Sequence, residues 1–210
     1  MSPEAPVQGH DTSGPQTPHG AHWPPFPRER LEAVRSRDPV ALEAFFEHFF
    51  DRIFGLVYRL LGDRHRAEDV TQDVFLKAQR GISQLDTARD PGPWLYTIAT
   101  NACRDLWRSG AWRMSRRSTP TDSMIGSGSL RDPNETPDLA ALRAERERMV
   151  QRAIMSLPEA LRIAVMLHDF EGLDHLEIAG ITGVSHAAAR KRYSRALQML
   201  ALRLKEGLGS

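Results

Sequence analysis

The first candidate site in this 210-residue chain is a group of polar side chains in GDRHRAEDVTQDVF, from Gly62 to Phe75. On a helix, one side of this stretch and the residues after it form an apolar stripe that can pack on a core, made of Ala67, Val70, Val74 and Ala78. The opposite side carries acidic and polar residues around one apolar residue, without a basic partner at helical spacing, namely Glu68, Asp69, Gln72, Asp73 and Leu76. Such a surface suits a partner of positive charge.

A second candidate site lies in LDHLEIAGITGVSHAAARKRYSRALQML, near the C-terminus. Asp174 and Glu177 have the D-x-x-E spacing of a capping box, which starts a short helix. Gly183 suits a left-handed turn and Ser185 can cap the helix that follows. A helix, a glycine-bearing turn and a second helix at this spacing predict a helix-turn-helix.

The second helix of this motif has two different sides. Its inward arc is predicted to contain Ala189, Tyr193, Ala196, Leu197 and Leu200. The outward side is cationic and rich in hydrogen-bond donors, with Lys191, Ser194, Arg195 and Gln198, flanked by Arg190 and Arg192. Six bases and no acid between Arg190 and Lys205 would attract phosphates, and Arg or Lys can reach guanine edges. A solvated basic helix is the alternative, but the turn chemistry and the one-sided charge favour DNA contact.

A third candidate site is the helix predicted for PWLYTIATNACRDLWRS. Its apolar face contains Leu95, Ile98, Ala99, Ala102 and Leu106. The other face combines neutral polar groups with two arginines, as expected of a surface that meets bases as well as phosphates, and contains Thr97, Asn101, Arg104 and Arg108. Three aromatic rings lie near this face, those of Trp94, Tyr96 and Trp107. Single-stranded bases can stack on such rings. The alternative is that the rings pack in the core. Cys103 is expected to be a small packing residue.

A catalytic or metal site is not indicated. His168, Asp169, Glu171 and His175 are close in sequence, but the group crosses the Gly172 turn, so we assign these residues capping and surface roles. Glycine-rich phosphate loops and nucleophile motifs are absent from the sequence. One cysteine permits neither an internal disulfide nor a Cys-based zinc site, which fits a reducing cytoplasm. We therefore expect a binding protein without a metal or a cofactor.

The elements that must position these sites are helical, and no segment predicts a strand. Asp38 and Pro39 read as an N-cap and a first helical residue, starting a long core helix that runs to Leu60. Further helices are predicted at about 28–37, 66–80, 93–108, 139–154, 158–169, 174–181 and 185–205. The fold class is therefore all-α, with two small helical domains at 28–108 and 139–206. A Pro-rich leader at 1–27 is expected to be disordered and a polar segment at 109–138 to be a flexible linker.

Charge is segregated although the net charge is only +1. Acids concentrate between Glu43 and Asp73, and bases at 104–117 and 190–205, so two partners of opposite sign are expected. No run of eighteen apolar residues exists, and the first 27 residues lack the apolar segment of a signal peptide. We expect no membrane insertion and a cytoplasmic location.

The order of these motifs resembles the extracytoplasmic-function (ECF) sigma factors, bacterial transcription initiation factors with domains two and four only. The resemblance rests on AEDVTQDVF, PWLYTIATNACRD, SLPEALRIAVMLHDFEGLDHLEIAGITGVS and RKRYSRAL, and it covers about 28–108 and 139–204. It implies a sigma region 2-like bundle and a region 4-like helix-turn-helix domain. It also implies three partners, which are core RNA polymerase, promoter DNA and an anti-sigma factor. The expected contacts on the polymerase are the clamp helices of its largest subunit and its flap.

The resemblance assigns roles by position. Polymerase binding falls to Glu68, Asp69, Gln72, Asp73 and Leu76. Recognition of the −10 element as its strands separate falls to Trp94, Thr97, Asn101, Arg104 and Arg108, with Asn101 holding a flipped base and the loop from Leu85 to Gly92 lining its pocket. Contact with the −35 element in the major groove falls to Ser185, Arg190, Lys191, Ser194 and Arg195.

One departure from the family pattern affects the expected DNA contacts. The family usually has Gly-Thr-Val entering the recognition helix, where this chain has Ala187, Ala188 and Ala189. The change removes a hydroxyl that could bind phosphate and shrinks a core contact, so it bears on promoter affinity and on the stability of the C-terminal domain.

Two other functions are consistent with the same motifs. A stand-alone helix-turn-helix regulator would commonly bind as a symmetric dimer, but the chain has one such motif and no obvious dimer seam. A sigma-like decoy that binds an anti-sigma factor without touching DNA would be expected to have lost its cationic residues, and these are present.

Overall fold

The protein is helical throughout the described residues, which in this computed structural model are 25–110, 112 and 136–208. An N-terminal unit, residues 25–110 and 112, contains α1 (Arg28–Arg35), α2 (Pro39–Leu61), α3 (Arg64–Gly81) and α4 (Gly92–Arg108). A C-terminal unit, residues 136–208, contains α5 (Pro137–Met155), α6 (Glu159–Val165), α7 (His175–Thr182) and α8 (His186–Leu208). A 3₁₀ turn, Ile82–Gln84, follows α3, and a π-helical turn, Met166–Phe170, follows α6. The all-α fold class is confirmed.

Side-chain caps start α2 and α3. The cap of α2 is predicted from the sequence, whereas α3 begins at Arg64, ahead of the predicted range of 66–80. The Asp38 carboxylate accepts a hydrogen bond from the Ala41 amide at 2.9 Å, with Pro39 at the first turn. Asp63 caps α3 in the same way, accepting from the Arg66 amide at 3.1 Å. Between these helices Gly62 has φ +69°, a left-handed conformation that favours glycine, so α2 ends there and the chain reverses.

The core of the N-terminal unit is built around α2. One face of this helix is almost fully buried, including Phe45, Phe49, Ile53, Leu56 and Leu60. The Phe45 and Phe49 rings lie 4.9 Å apart between centroids. From α3, Ala67, Val74 and Ala78 are buried against this core and Val70 is half-buried, so the predicted apolar stripe is the packed side of that helix.

The C-terminal unit has the predicted helix-turn-helix geometry. The Asp174 carboxylate accepts from the Leu176 and Glu177 amides at 2.7 and 2.8 Å, and the Glu177 carboxylate accepts from the Asp174 amide at 2.8 Å. Gly183 has φ +67° in the turn, and the Ser185 hydroxyl accepts from the Ala188 amide at 3.2 Å. The capping box therefore fixes the start of α7, and the turn together with the Ser185 cap fixes the start of α8.

One predicted core position on α8 is wrong. Leu197 is 42% exposed, whereas Ala196 is buried and Met199 and Leu200 are half-buried. Helix α8 packs on α5 as well as on α6 and α7, and the residues beyond Ala196 that pack against the core are Met199 and Leu200.

The two predicted connecting segments lie largely outside the described residues. Of the leader, 1–24 is not described, and Phe26 packs its ring 5.3 Å from that of Phe45. Of the linker, 111 and 113–135 are not described, and α5 already begins at Pro137. Among the described helices, none is long and apolar enough to cross a membrane.

The two units also pack against each other. Helix α4 contacts α7, and α2 contacts the π-helical turn. The sequence predicts two domains joined by a linker, and no local pattern in it indicates this contact.

Candidate functional site

The outward face of α3 carries the residues assigned to polymerase binding. Asp69 and Gln72 are exposed, and Leu76 is 52% exposed although it is apolar. Glu68 and Asp73 are half-exposed on either side of them. The structure therefore brings all five residues to one side of one helix, opposite the packed stripe.

The acidic residues on this face do have basic partners at helical spacing, so that part of the prediction is wrong. Glu68 pairs with Arg64 at 3.0 Å, and Asp73 pairs with Lys77 at 2.7 Å. Each partner is one helical turn away, where side chains at i and i+4 meet. Exposed pairs of this kind contribute little to stability and separate easily. The carboxylates thus remain available to a competing cation.

An aromatic patch on α2 and α3 lies next to this face. It was not predicted from the sequence. Phe50 is 44% exposed and stacks on Phe54 and Phe75, with ring centroids 6.3 and 5.9 Å apart. Phe46 meets Phe75 at 5.3 Å. Phe46, Phe50 and Phe54 form a second apolar stripe at i, i+4 and i+8, and this spacing is the sequence pattern that could have predicted the patch. Phe75 lies three residues after Gln72 and seven after Glu68, so the patch borders the edge of the α3 face that those two residues form.

Helix α4 presents the polar side chains assigned to the −10 element. Asn101 and Arg108 are exposed and Arg104 is half-buried. Arg104 Nη1 donates to Asn101 Oδ1 at 2.9 Å, so the guanidinium fixes the orientation of the amide. Burial, and then the positive charges of Arg192 and Arg108, lower the pKa of Arg104. This part of α4 is therefore strongly positive, as phosphate binding requires.

The aromatic rings of α4 divide into two groups. Tyr96 and Trp107 are buried, so for these two the packing alternative holds and neither ring is available to a base. Trp94 is half-buried at the start of the helix. Burial, and the nearby Glu171 carboxylate, raise the pKa of Tyr96. The Thr97 hydroxyl donates to the Pro93 carbonyl at 2.9 Å, which commits its proton to the helix.

Cys103 is a packing residue, as predicted. Its side chain is fully buried, and this burial raises the pKa of the thiol to about 12. A thiol that stays protonated at neutral pH is a poor nucleophile.

The loop before α4, from Leu85 to Gly92, is held by local hydrogen bonds. Asp86 accepts from the Ala88 amide and Asp90 from the Gly92 amide, both at 3.0 Å. The Thr87 hydroxyl donates to Glu32 of α1 at 2.6 Å. Two such Asx turns and a tie to α1 give this loop a defined shape.

The residues of α8 that are predicted to contact DNA lie on its exposed side. Arg190, Lys191, Ser194 and Arg195 are exposed. Ser185 is exposed too, but its hydroxyl caps the helix, so it has a structural role as well.

Behind this face, a polar contact fixes α8 on the rest of its unit. The Tyr193 hydroxyl donates to Asp169 at 2.7 Å, and its ring stacks on His168 with centroids 4.2 Å apart. Burial, and then the hydrogen bond to Asp169, raise the pKa of Tyr193 to about 12. The phenol therefore stays a proton donor at neutral pH.

The surface role assigned to Glu171 is wrong. Its side chain is 2% exposed and binds two arginines of the N-terminal unit. These partners are more than a hundred residues away in the chain, so no local pattern reveals them. In the part of the chain that the structure describes, no group of three or more His, Cys, Asp or Glu residues is arranged to hold a metal ion.

Comparison with known families matches both units. Residues 45–113 match the family model of sigma-70 region 2, and residues 147–200 match that of sigma-70 region 4. The first match contains α3 and α4, and the second contains the helix-turn-helix.

Two curated proteins are similar over most of their length. The RNA polymerase sigma-H factor of Pseudomonas aeruginosa is 31% identical over 182 residues, which is 82% of this chain and 91% of that protein. The ECF RNA polymerase sigma factor SigW of Bacillus subtilis is 26% identical over 181 residues, which is 85% of this chain and 97% of that protein.

Two solved structures share the fold. CnrH, solved with the cytosolic domain of CnrY, has a TM-score of 0.60 at 22% identity, covering 85% of this chain and 97% of CnrH. RpoE from Bartonella quintana, solved with the anti-sigma factor NepR, has a TM-score of 0.58 at 22% identity, covering 78% of this chain and 96% of RpoE.

Proposed function

Because this chain belongs to the ECF family of RNA polymerase sigma factors, which are transcription initiation factors, we propose that it acts through three separate surfaces. Helix α3 binds core RNA polymerase, α4 holds the opened −10 element and α8 reads the −35 element. The observation that carries the proposal is that each of these helices buries one side in its unit and exposes a polar side. The protein works by binding, without a cofactor.

The α3 face suits the clamp helices of the polymerase largest subunit. Asp69 and Gln72 offer acceptors, while Leu76 offers an apolar anchor that loses water on binding. A small apolar centre with a polar rim is the usual arrangement of a protein interface. The aromatic patch around Phe50 extends this interface. The flap of the polymerase is the second contact with the enzyme that the family resemblance implies.

The α4 face suits a single strand with one base removed from the stack. Asn101 can read or hold the base, and Arg104 and Arg108 can bind the backbone on either side. Extruding a base costs a few kcal/mol, which a shaped pocket must offset. The loop from Leu85 to Gly92, with its two Asx turns, supplies one wall, and Trp94 is the one aromatic side chain of this helix left partly open.

The α8 face suits the major groove of a duplex. Its four exposed polar residues follow the capped N-terminus, where a recognition helix contacts base edges. Arg190, Lys191 and Arg195 can bind guanine or phosphate. Ala187 and Ala188 offer no hydroxyl to a phosphate, so this contact depends on the basic side chains.

The two units divide the work, with 28–108 as the region 2-like domain and 139–206 as the region 4-like domain. We place the protein in the cytoplasm, on the nucleoid when bound to polymerase. An anti-sigma factor is a further partner, since RpoE of Bartonella quintana was solved with one. A stand-alone regulator and a decoy would leave one or more of the three surfaces without a role.

Charge reversal on α3 tests the polymerase site. We expect Asp69→Arg with Asp73→Arg to weaken binding to purified core polymerase at least about tenfold, since two attractions become repulsions. The matched control is Asp138→Arg with Glu145→Arg, which makes the same change in net charge at exposed positions of α5. Equal binding by the α3 variant and the wild type, or an equal loss in the control, would contradict the assignment.

Truncation on α8 tests the −35 site. We expect Arg195→Ala to weaken the holoenzyme footprint over the −35 element about tenfold, the usual effect of one lost base contact. Arg203→Ala, two turns further along the same helix, is the control. A footprint unchanged in the Arg195 variant would remove this residue from the readout.

A further inference from the structure

The half of α8 that is assigned to DNA contact buries only small side chains. Between His186 and Ala196 the buried residues are two alanines, Ala189 at 1% and Ala196 at 0% exposed. A methyl group lets the helix lie close to α6 and α7, but its apolar contacts have no preferred direction. These two residues therefore hold α8 against its unit and give little control over its rotation about its own axis.

Tyr193, which lies between these alanines in the chain, makes contacts that do have a direction. Its hydroxyl donates to Asp169 Oδ1 at 2.7 Å, and its ring stacks on that of His168 with centroids 4.2 Å apart. The His175 ring lies 5.2 Å from the Tyr193 ring and 4.8 Å from the His168 ring. A hydrogen bond depends on angle as well as distance, and aromatic rings prefer particular offsets, so these contacts fix one rotational setting of α8.

The π-helical turn that follows α6 brings both main partners to Tyr193. In this turn the Glu171 amide donates to the Met166 carbonyl, five residues back, at 3.2 Å. Such turns are rare and frequently lie at functional sites. His168 Nδ1 lies 2.9 Å from the same Asp169 oxygen that binds Tyr193. Since a carboxylate only accepts, this hydrogen bond places the ring proton of His168 on Nδ1. The three side chains thus hold one another in place.

Tyr193 lies within one helical turn of side chains that are assigned to the −35 element. Arg190 is three residues before it and Arg195 is two residues after it, and both are exposed. On a helix about 10 to 12 Å across, a rotation of roughly 20° moves a surface group by about 2 Å. A functional side chain must lie within about 0.5 Å of its working position. The rotation of α8 therefore decides whether both arginines can meet base edges.

Two alanines at the start of α8 make this internal contact more important. Contacts with phosphates fix the register and orientation of a protein on a duplex. Ala187 and Ala188 have no hydroxyl that could make such a contact. Fewer external contacts are thus available to orient the helix on DNA, so its orientation depends more on how it is held inside its own unit.

The hydrogen bond of Tyr193 contributes more to geometry than to stability. The Asp169 side chain is 32% exposed, so water can bind the carboxylate if the phenol is lost. The net contribution of a hydrogen bond to stability is small when water replaces the missing partner. Loss of the hydroxyl should therefore leave the unit folded while α8 gains rotational freedom, which distinguishes positioning from packing.

We propose that Tyr193 is a positioning residue for recognition of the −35 element. Held by Asp169 and His168, it sets the rotation of α8 about its axis and thereby the placement of Arg190 and Arg195 against the base edges. Its own side chain packs against the core of the unit and does not touch DNA. This role rests on the proposed function of α8 and adds a residue that acts from behind the DNA-contacting face.

Sequence preference tests this role more sharply than affinity. The holoenzyme, made from purified core polymerase and the full chain, selects from promoter fragments in which about 10 base pairs around position −35, one helical turn, are randomised. Its affinities for the selected sequence and for a scrambled one are then compared. We expect Tyr193→Phe to lower this preference about tenfold, as for one lost base contact. Binding to the scrambled sequence should not change, because every charge that attracts phosphate remains.

Variants of the partner and a matched control complete the experiment. Asp169→Leu removes the acceptor and should lower the preference as much as Tyr193→Phe does. The double variant should show no further loss, since both changes break the same contact. Asp169→Asn retains a carbonyl oxygen as acceptor and should keep most of the wild-type preference. Tyr58→Phe makes the same chemical change on α2, in the N-terminal unit, and should leave the preference unchanged.

Circular dichroism and binding to core polymerase check that each variant is folded and forms the holoenzyme. A preference that survives in folded Tyr193→Phe would overturn the proposal. An equal loss of binding to selected and scrambled sequences would also overturn it, because that result indicates general destabilisation of α8. If Tyr193→Phe does not fold, equal preferences of Asp169→Leu and Asp169→Asn would overturn it instead. A wild-type holoenzyme with no preference at position −35 would contradict the proposed function of α8, and the role of Tyr193 with it.

Discussion

The interior of the N-terminal unit and the contact between the two units are both buried, but the first consists of apolar side chains and the second of charged ones. Phe45 and Phe49 are 0 and 2% exposed and pack against other aromatic rings, including Phe26 and Phe46. Around Glu171 and Arg162 the side chains are charged, and their partners are charged groups, a phenol and backbone carbonyls. The first arrangement loses its stabilisation when water enters, whereas the second exchanges one set of hydrogen bonds for another. The comparison teaches that apolar burial holds the N-terminal unit together, whereas hydrogen bonds to charged groups join the two units.

The largest effect is expected in the apolar interior. Phe45→Ala should lower the free energy of unfolding of the N-terminal unit by about 3 to 5 kcal/mol, because it removes a ring and leaves a cavity. Urea denaturation followed by circular dichroism measures the change. A loss below about 1 kcal/mol would mean that the α2 core tolerates water, and the contrast between the two regions would fail.

A smaller effect is expected at the contact. Removing one partner of a buried ion pair in a rigid core costs about 3 to 5 kcal/mol. Glu171→Gln should cost only about 1 to 2 kcal/mol, because the Arg52 and Arg59 side chains are 17% and 28% exposed and can bind water instead. The same urea experiment applies, with Glu145→Gln as control. A loss as large as that of Phe45→Ala would show that the two arginines cannot regain water.

The difference between these regions also explains what the sequence could predict. Asp38 with Pro39, Asp174 with Glu177, and Gly183 act on residues within a few positions, so their helix starts and turn follow from local chemistry. The apolar stripes of α2 and α3 follow from periodicity. Glu171 could not be placed, because its partners are 75 to 119 residues away and are recognisable only after both units have folded.

The candidate surfaces, too, could be predicted only in part. All five α3 residues share one face because helical geometry requires it, yet the ion partners Arg64 and Lys77 were overlooked at the same spacing. Tyr96 and Trp107 could not be assigned to base stacking or packing, since their burial depends on both units. The local pattern predicts Leu197 inward because it does not show which neighbouring helices α8 packs on.

A cap on the C-terminal unit should matter less than either of those contacts. Asp174→Ala removes the acceptor for the Leu176 and Glu177 amides and should cost about 1 kcal/mol. Thermal unfolding of the full chain measures it, with Asp174→Asn as the conservative control that retains an acceptor. Destabilisation of the asparagine variant equal to that of the alanine variant would show that the capping hydrogen bonds are not the cause.

The smallest effect is a pH dependence of the same unit. Burial, and then the neighbouring His168, His186 and Arg190, lower the pKa of His175 from 6.5, with Asp174 opposing them. The unfolded chain therefore binds this proton more readily, and stability should be full above about pH 6.5 and fall as the pH decreases below it. His175→Gln should flatten this part of the profile. A wild-type profile that rises on acidification from pH 7 to 5.5 would have the wrong sign.

The most direct test of the account is transcription in a purified system. Core RNA polymerase is mixed with this protein and a library of genomic promoter fragments, and the transcripts are sequenced. We predict new transcripts that share a −10 and a −35 element, require the protein, and disappear with Asp69→Arg and Asp73→Arg. Transcripts identical to those of core polymerase alone would contradict the claim that this chain directs the enzyme to promoters.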